Sequence, residues 1–154
     1  MTGFAAAAFP AAAAMGRTVR GRALVASDGF SARYDLDRIA GVFSRPQHAL
    51  FGRSYAGLVL ILDRVKGGVA TAWMLHEMAE RGIVPAALVF NTVNPIMVQG
   101  AALASATMMS GFAVDITCAV PDGALVEVDA EAVPPVLRIL GQADFEVAVR
   151  SATG

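Results

Sequence analysis

Residues 58–90 constrain the fold more than any other part of the chain. They run from Leu58-Val-Leu-Ile-Leu62 through the turn Lys66-Gly67-Gly68 into a segment at helical spacing, then reach the short apolar stretch Ile83-Val-Pro-Ala-Ala-Leu-Val-Phe90. Val69, Ala70, Trp73, Met74 and Met78 recur at intervals of three and four and form one apolar stripe, while Glu77 and Arg81 make an i,i+4 charge pair on another face. Gly82 supplies a C-terminal stop. Residues 83–90 are apolar on both faces and rich in branched side chains, which predicts a buried strand. Strand, turn, helix and strand make a βαβ unit, and its two strands are therefore parallel.

This order also places a candidate binding edge. The amides of Gly67, Gly68 and Val69 lie at a helix N-terminus, where unpaired N–H groups and the positive end of the helix dipole attract anions. A second turn follows in Asn91-Thr-Val-Asn-Pro95, with Asn94 as N-cap, Pro95 at the first helical position and residues 96–104 carrying the helix. Ligands of open parallel sheets bind at the carboxyl ends of strands, so Lys66, Gly67, Gly68, Asn91 and Asn94 form a candidate substrate-binding set around one crevice. Simpler roles stand beside this one: Asn94 as a cap only, Asn91 as a turn residue, and Lys66 as a solvated surface charge.

A chain of 154 residues with 56% hydrophobic content buries one core, which predicts one domain. Its formal net charge of −1 argues against general electrostatic binding to nucleic acid or acidic membranes. Cys118 is the single cysteine, so it forms no internal disulfide, and its place in the apolar run 113–120 predicts a buried, inert thiol. A cytoplasmic location is the corresponding expectation. His48 and His76 have no second ligand at metal spacing, which predicts no metal site in this chain.

The alanine-rich residues 1–16 lack a basic start and are interrupted by Pro10, so they fit neither a signal peptide nor a membrane span and are expected to be a disordered extension. The folded domain is then residues 17–154, opening with a strand over 18–26 and a turn at Asp28-Gly29. Residues 33–47 read as a long surface loop of the kind that carries function, although its charged residues Arg33, Asp35, Asp37, Arg38 and Arg45 fit a solvated face better than a site. Further on, 113–120 and 124–128 are expected strands, joined into a hairpin by Pro121-Asp122-Gly123. A short helix over 131–140 and a final strand or loose tail after Asp144 complete the expectations.

Several short motifs, in order, resemble the swivel domain of aconitase X. They are Gly21-Arg-Ala-Leu-Val25, Gln47-His-Ala-Leu-Phe-Gly52, the 58–62 strand with its glycine turn, Glu80-Arg-Gly-Ile-Val-Pro-Ala-Ala87 and Pro121-Asp-Gly-Ala-Leu-Val-Glu-Val128. The resemblance spans residues 17–130. It implies an α/β fold, a swivelling β/β/α domain with a mainly parallel sheet core and a C-terminal hairpin. It also implies a heteromeric hydro-lyase, with this chain as small subunit and a large subunit bearing an iron-sulfur or iron centre, no cofactor being held here. The substrate types it implies are small hydroxy acids such as cis-3-hydroxy-L-proline or mevalonate 5-phosphate. In the family the glycine turn carries a serine that acts as base, whereas this chain has Gly68 at the aligned position. Thr71 is the nearest hydroxyl and the candidate catalytic residue. A catalytically silent binding or regulatory swivel domain is the alternative reading. Without a nucleophile–base pair or paired carboxylates, the chain is expected to be inactive alone.

Overall fold

The computed structural model describes residues 7–32, 34–66 and 69–141. In chain order the elements are β1 (Ala8–Met15), β2 (Val19–Val25), β3 (Gly29–Phe30), β4 (Leu36–Asp37), β5 (Val42–Phe43), β6 (Val59–Val65), α1 (Val69–Arg81), β7 (Ala87–Thr92), α2 (Pro95–Leu103), β8 (Thr107–Phe112), α3 (Ile116–Ala119), β9 (Leu125–Asp129) and β10 (Val136–Gly141).

The expected βαβ unit is present. Strands β6 and β7 pair in parallel, with Leu60 opposite Leu88 and Leu62 opposite Phe90. Helix α1 makes the crossover and ends where Gly82 takes φ +73°. Of the expected stripe, Met78 is fully buried and Met74 packs against the core, whereas Trp73 is 64% exposed and Leu75 is fully buried instead. Residues two apart on a helix point about 200° away from each other, so turning Leu75 to the sheet turns Trp73 to solvent.

The sheet is mixed, and the mainly parallel core expected from the sequence is corrected. Its order is β2-β9-β10-β1-β8-β7-β6-β3, with β2 also pairing with β6. Strand β2 pairs antiparallel with β9 through residues 19–22 and parallel with β6 through residues 23–25, which closes seven strands into a barrel. Strand β3 continues along β6 beyond the end of β2. The parallel pairings are those of β6, β7 and β8 with their helical crossovers and of β2 and β3 on β6. The antiparallel ones come from β1, β9 and β10, which no helical crossover connects.

Alternation along each strand divides the apolar residues into two cores. The barrel interior holds Ala23, Val59, Ile61, Val89, Met109, Val126, Val128, Leu137 and Ile139. The outward row of Leu24, Leu60, Leu62, Leu88 and Phe90 packs under Leu75 and Met78 of α1 and Met97 and Ala101 of α2, together with Phe30, Phe43 and Tyr55. Both faces of β6 and β7 are thus covered, which accounts for their unbroken apolar sequence. The result is a β/β/α layering.

Several expectations are revised by this architecture. Residues 8–15 of the presumed disordered extension form β1, which pairs with β10 and β8; residues 1–6 lie outside the described residues. Alanine is a weak strand former, but here small side chains let β1 lie close against β8: a Cβ on Gly111 would come within 2.7 Å of the Ala12 Cβ. Residues 113–120 are not a strand. Asp115 caps α3 there by accepting from Thr117 N, and the packing of Ile116 into the barrel turns Cys118 outward, so the thiol is exposed rather than buried. A C-terminal hairpin does form, but β9 pairs with β10. The segment expected as a helix over 131–140 therefore supplies a strand, because Pro134-Pro135 cannot sit inside a helix and Val136, Leu137 and Ile139 turn to buried positions instead. The tail after Asp144 lies outside the described residues. Among the described residues no helix is long and apolar enough to cross a membrane.

Candidate functional site

Lys66 follows β6 at the carboxyl end of the sheet. Its backbone N–H donates to the Phe30 carbonyl at 2.7 Å, which extends the β3–β6 pairing by one residue. The aliphatic stem crosses Gly29, where a Cβ would lie 2.7 Å from Lys66 Cε and 2.9 Å from Cδ. Lys66 Nζ thereby reaches 3.8 Å from Asp35 Oδ2.

Asp35 is the centre of this region. Asp37 of the same loop is exposed as expected, but Asp35 is fully buried, which corrects the solvated face expected for it. The physical reason is local pairing: Oδ2 accepts from Ser31 N at 2.9 Å, Oδ1 accepts from Arg45 Nε at 2.5 Å, and the backbone carbonyl accepts from Ser44 N at 2.8 Å. A buried carboxylate with such donors is stable where an unpaired one is not. Ser31, Tyr34, Asp35, Arg45 and Lys66 line a cleft of about 370 Å³.

His48 braces the floor of the same region. Leu50 N donates to its Nδ1 at 3.0 Å, so Nε2 carries the proton and donates to the Gly29 carbonyl at 2.8 Å. The ring is buried and stacks on Phe43 at 4.6 Å. Nearby Asp28 accepts from Gly29 N and Ala49 N. Burial pushes the Asp28 carboxyl up, but the Ala49 and Gly29 amides outweigh it and leave the group below the usual carboxylate range.

Asn91 is engaged elsewhere. Its Nδ2 donates to Asp63 Oδ1 at 3.0 Å and to Asp115 Oδ1 at 2.8 Å, and its Oδ1 accepts from Ile116 N at 2.9 Å. The side chain therefore ties β6 and β7 to the start of α3. Hydrogen bonds from the Thr117 hydroxyl first, and then from Asn91, hold the Asp115 carboxyl down at about 2. Asn94 is the N-cap of α2, accepting from Met97 N at 2.8 Å.

The candidates thus separate into two groups. Lys66 joins the outer-layer cleft with Asp35 and Arg45, whereas Asn91 continues the inward-facing rows of β6 and β7 and meets α3. Gly67 and Gly68 lie outside the described residues, and Thr71 belongs to the first turn of α1. Ser31, Tyr34, Asp35 and Arg45 were not singled out from the sequence as site residues. The one signal available was the length of the polar segment containing Asp35 and Arg45, since loops of that kind often carry function. Among the described residues, no group of three or more His, Cys, Asp or Glu side chains is placed to hold a metal ion.

Comparison with known proteins agrees with this architecture. A family model described as the aconitase X swivel domain matches residues 8–134. The chain is similar to the phosphomevalonate dehydratase small subunit of Methanothrix thermoacetophila, at 34% identity over 115 residues, which cover 75% of this chain and 83% of that protein. The phosphomevalonate dehydratase small subunit of Methanocella arvoryzae is 29% identical over 117 residues, covering 76% of this chain and 89% of the relative. Among solved structures, the holo-form of Thermococcus kodakaraensis aconitase X superposes with a TM-score of 0.79 at 22% identity, over 87% of this chain and 98% of that one. At that identity the likeness is one of fold.

Proposed function

This chain belongs to the aconitase X swivel domain family, and from that premise we propose that it is the small subunit of a hydro-lyase that dehydrates a small hydroxy acid in a site shared with a large subunit. The observation that carries this reading is the extent of the match: the chain aligns with 83% and 89% of two relatives named as phosphomevalonate dehydratase small subunits. Those names favour a substrate of the mevalonate 5-phosphate type over cis-3-hydroxy-L-proline. Two cationic side chains, Arg45 and Lys66, beside one cleft support the same preference.

Dehydration removes a proton from the carbon next to a carboxylate and a hydroxyl from the neighbouring carbon, giving a C=C bond and water. The iron-sulfur or iron centre implied by the family would polarise the departing hydroxyl; the described residues offer no cluster for it, so it is assigned to the large subunit. This chain's part is to bind and orient. Lys66 faces the substrate anion, with Gly67 and Gly68 assigned to the same substrate-binding set; Asn94 fixes the start of α2, and Asn91 holds α3 against the sheet. Thr71 is assigned the proton-handling role that the family's serine fills, because Gly68 has no side chain to do so.

Gly68 at the serine's position also favours a second reading, a silent binding or regulatory swivel domain. Co-expression with a large subunit of the aconitase X type separates the first reading from a stand-alone protein. We expect a stoichiometric complex that dehydrates mevalonate 5-phosphate, with neither activity nor bound iron in the isolated chain. Failure to associate, or iron bound stoichiometrically to the chain alone, would overturn the assignment.

A further inference from the structure

We propose that the cleft between β3, the segment 44–50 and the end of β6 is an oxyanion subsite that takes the phosphate group of a phosphorylated hydroxy acid. Arg45 and Lys66 touch the phosphate, and Asp35 is the positioning residue behind them. The proposal rests on the dehydratase reading for the identity of the substrate, but phosphate binding to the chain stands independently of it.

The arrangement of charge carries the argument. The Asp35 side chain is 1% exposed, whereas those of Arg45 and Lys66 are 28% and 43% exposed. The carboxylate therefore lies behind the two cations, and an approaching anion meets the cations first. Arg45 meets Asp35 through Nε, so this ion pair leaves both Nη groups unused. These donors form the edge of the guanidinium that binds phosphate in a bidentate manner. Lys66 is not needed to satisfy Asp35, because Ser31 N and Arg45 already donate to the carboxylate and the ammonium is 3.8 Å away. Its position is set instead by the slot over Gly29. An ammonium held by its stem keeps its three donors available.

The cleft has room for a small ligand and a rim that is held in place. The volume of about 370 Å³ lies within the range of small-molecule pockets, roughly 300–1,000 Å³. Ser31 is buried at the floor and its hydroxyl accepts from Tyr34 N at 3.3 Å, so the backbone of the cleft's rim is fixed to its base. Preorganisation of this kind places donors before the ligand arrives.

Titration of the full chain with inorganic phosphate, and separately with acetate, followed by NMR of backbone amides and of the Arg45 Nε–H, tests the subsite. Phosphate is expected to give saturable shifts at Ser31, Arg45 and Lys66 and to bind more tightly than acetate. Gly29→Ala is the sharpest variant: it keeps every charge and displaces only the flexible Lys66 stem, and it is expected to weaken phosphate binding at least about fivefold. Unchanged affinity in Gly29→Ala, equal affinity for acetate, or absence of saturable shifts would overturn the proposal. In the complex, Arg45→Gln is expected to raise KM for the phosphorylated substrate about tenfold or more while kcat changes little, the pattern of a lost binding contact. Asp35→Asn should show the same split, with partial recovery in Asp35→Glu. Phosphate binding by the chain in the absence of any dehydratase activity in the complex would uphold the subsite and remove the dehydratase reading. An active complex in which Gly29→Ala and Arg45→Gln leave KM unchanged would do the reverse.

Discussion

Asp35→Ala is expected to destabilise the chain by about 3 kcal/mol, the sum of a lost charge-assisted hydrogen bond and a buried amide left without an acceptor. Ser31 N, on a buried residue, loses its acceptor, while Arg45 and Lys66 recover hydration because they are partly exposed. That recovery keeps the loss below the cost of stranding a wholly buried cation. Asp37 provides the comparison. Its carboxylate accepts from the amides of Ala40 and Ile39, first and second among the causes that hold its carboxyl below the usual range, but the residue is exposed, so Asp37→Ala is expected to cost clearly less than Asp35→Ala. Urea unfolding of the two variants measures the difference. Equal losses would mean that Asp35 is not the anchor of the 31–45 segment.

Gly16→Ala should cost at least as much, for an unrelated reason. Gly16 ends β1 with φ +95°, a backbone conformation that side chains rarely adopt, and a Cβ there would lie 2.7 Å from both Thr107 Cα and Thr107 Oγ1. Backbone strain alone costs about 1–2 kcal/mol. The contact with the Thr107 backbone adds to it because β8 cannot move without disturbing its pairing with both β1 and β7. We expect a total of about 3 kcal/mol or more by thermal or urea unfolding. Gly82 has φ +73° with nothing within 4 Å of a built Cβ, so Gly82→Ala isolates the strain and is expected to lose only about 1 kcal/mol. Similar losses at the two positions would contradict the close approach of β1 and β8.

The middle of the fold was legible because its residues carry local signals. Helix α1, its Gly82 stop, the Asn94-Pro95 start of α2 and the parallel pairing of β6 with β7 follow from periodicity, capping and crossover rules that act over a few residues. The ends were not, because what defines them is long-range. Strand β1 is a run of small residues whose strand state depends on partners more than ninety positions away, and β10 becomes a strand only by pairing with β9 and β1. Without knowledge of those partners, alanine reads as a frayed segment and residues 131–140 read as a helix. Antiparallel closure of the barrel was hidden for the same reason.

The site divides in the same way. Lys66 stood out because it occupies a strand–turn–helix junction. Asp35 and Arg45 did not, since a polar loop gives no indication that one of its carboxylates will be fully buried; that follows from the pairing of Asp35 with Ser31 N, Arg45 and Ser44 N in the folded segment. Asn91 was correctly placed at the end of its strand, but its amide is taken up by Asp63, Asp115 and Ile116, contacts made across β6 and α3. Trp73 and Cys118 show a further limit. Apolar composition predicted burial for both, and the rotation of one helix and the single turn of another expose them.

Whether the chain takes part in the reaction or only accompanies it is tested most directly by kcat/KM of the complex carrying Lys66→Ala, with assembly verified by co-purification. Participation predicts a fall of about tenfold or more, the equivalent of one charged interaction of roughly 1.5–3 kcal/mol, with complex formation intact. Wild-type kcat/KM in a fully assembled Lys66→Ala complex would contradict a shared site and leave the silent swivel domain as the account of this chain.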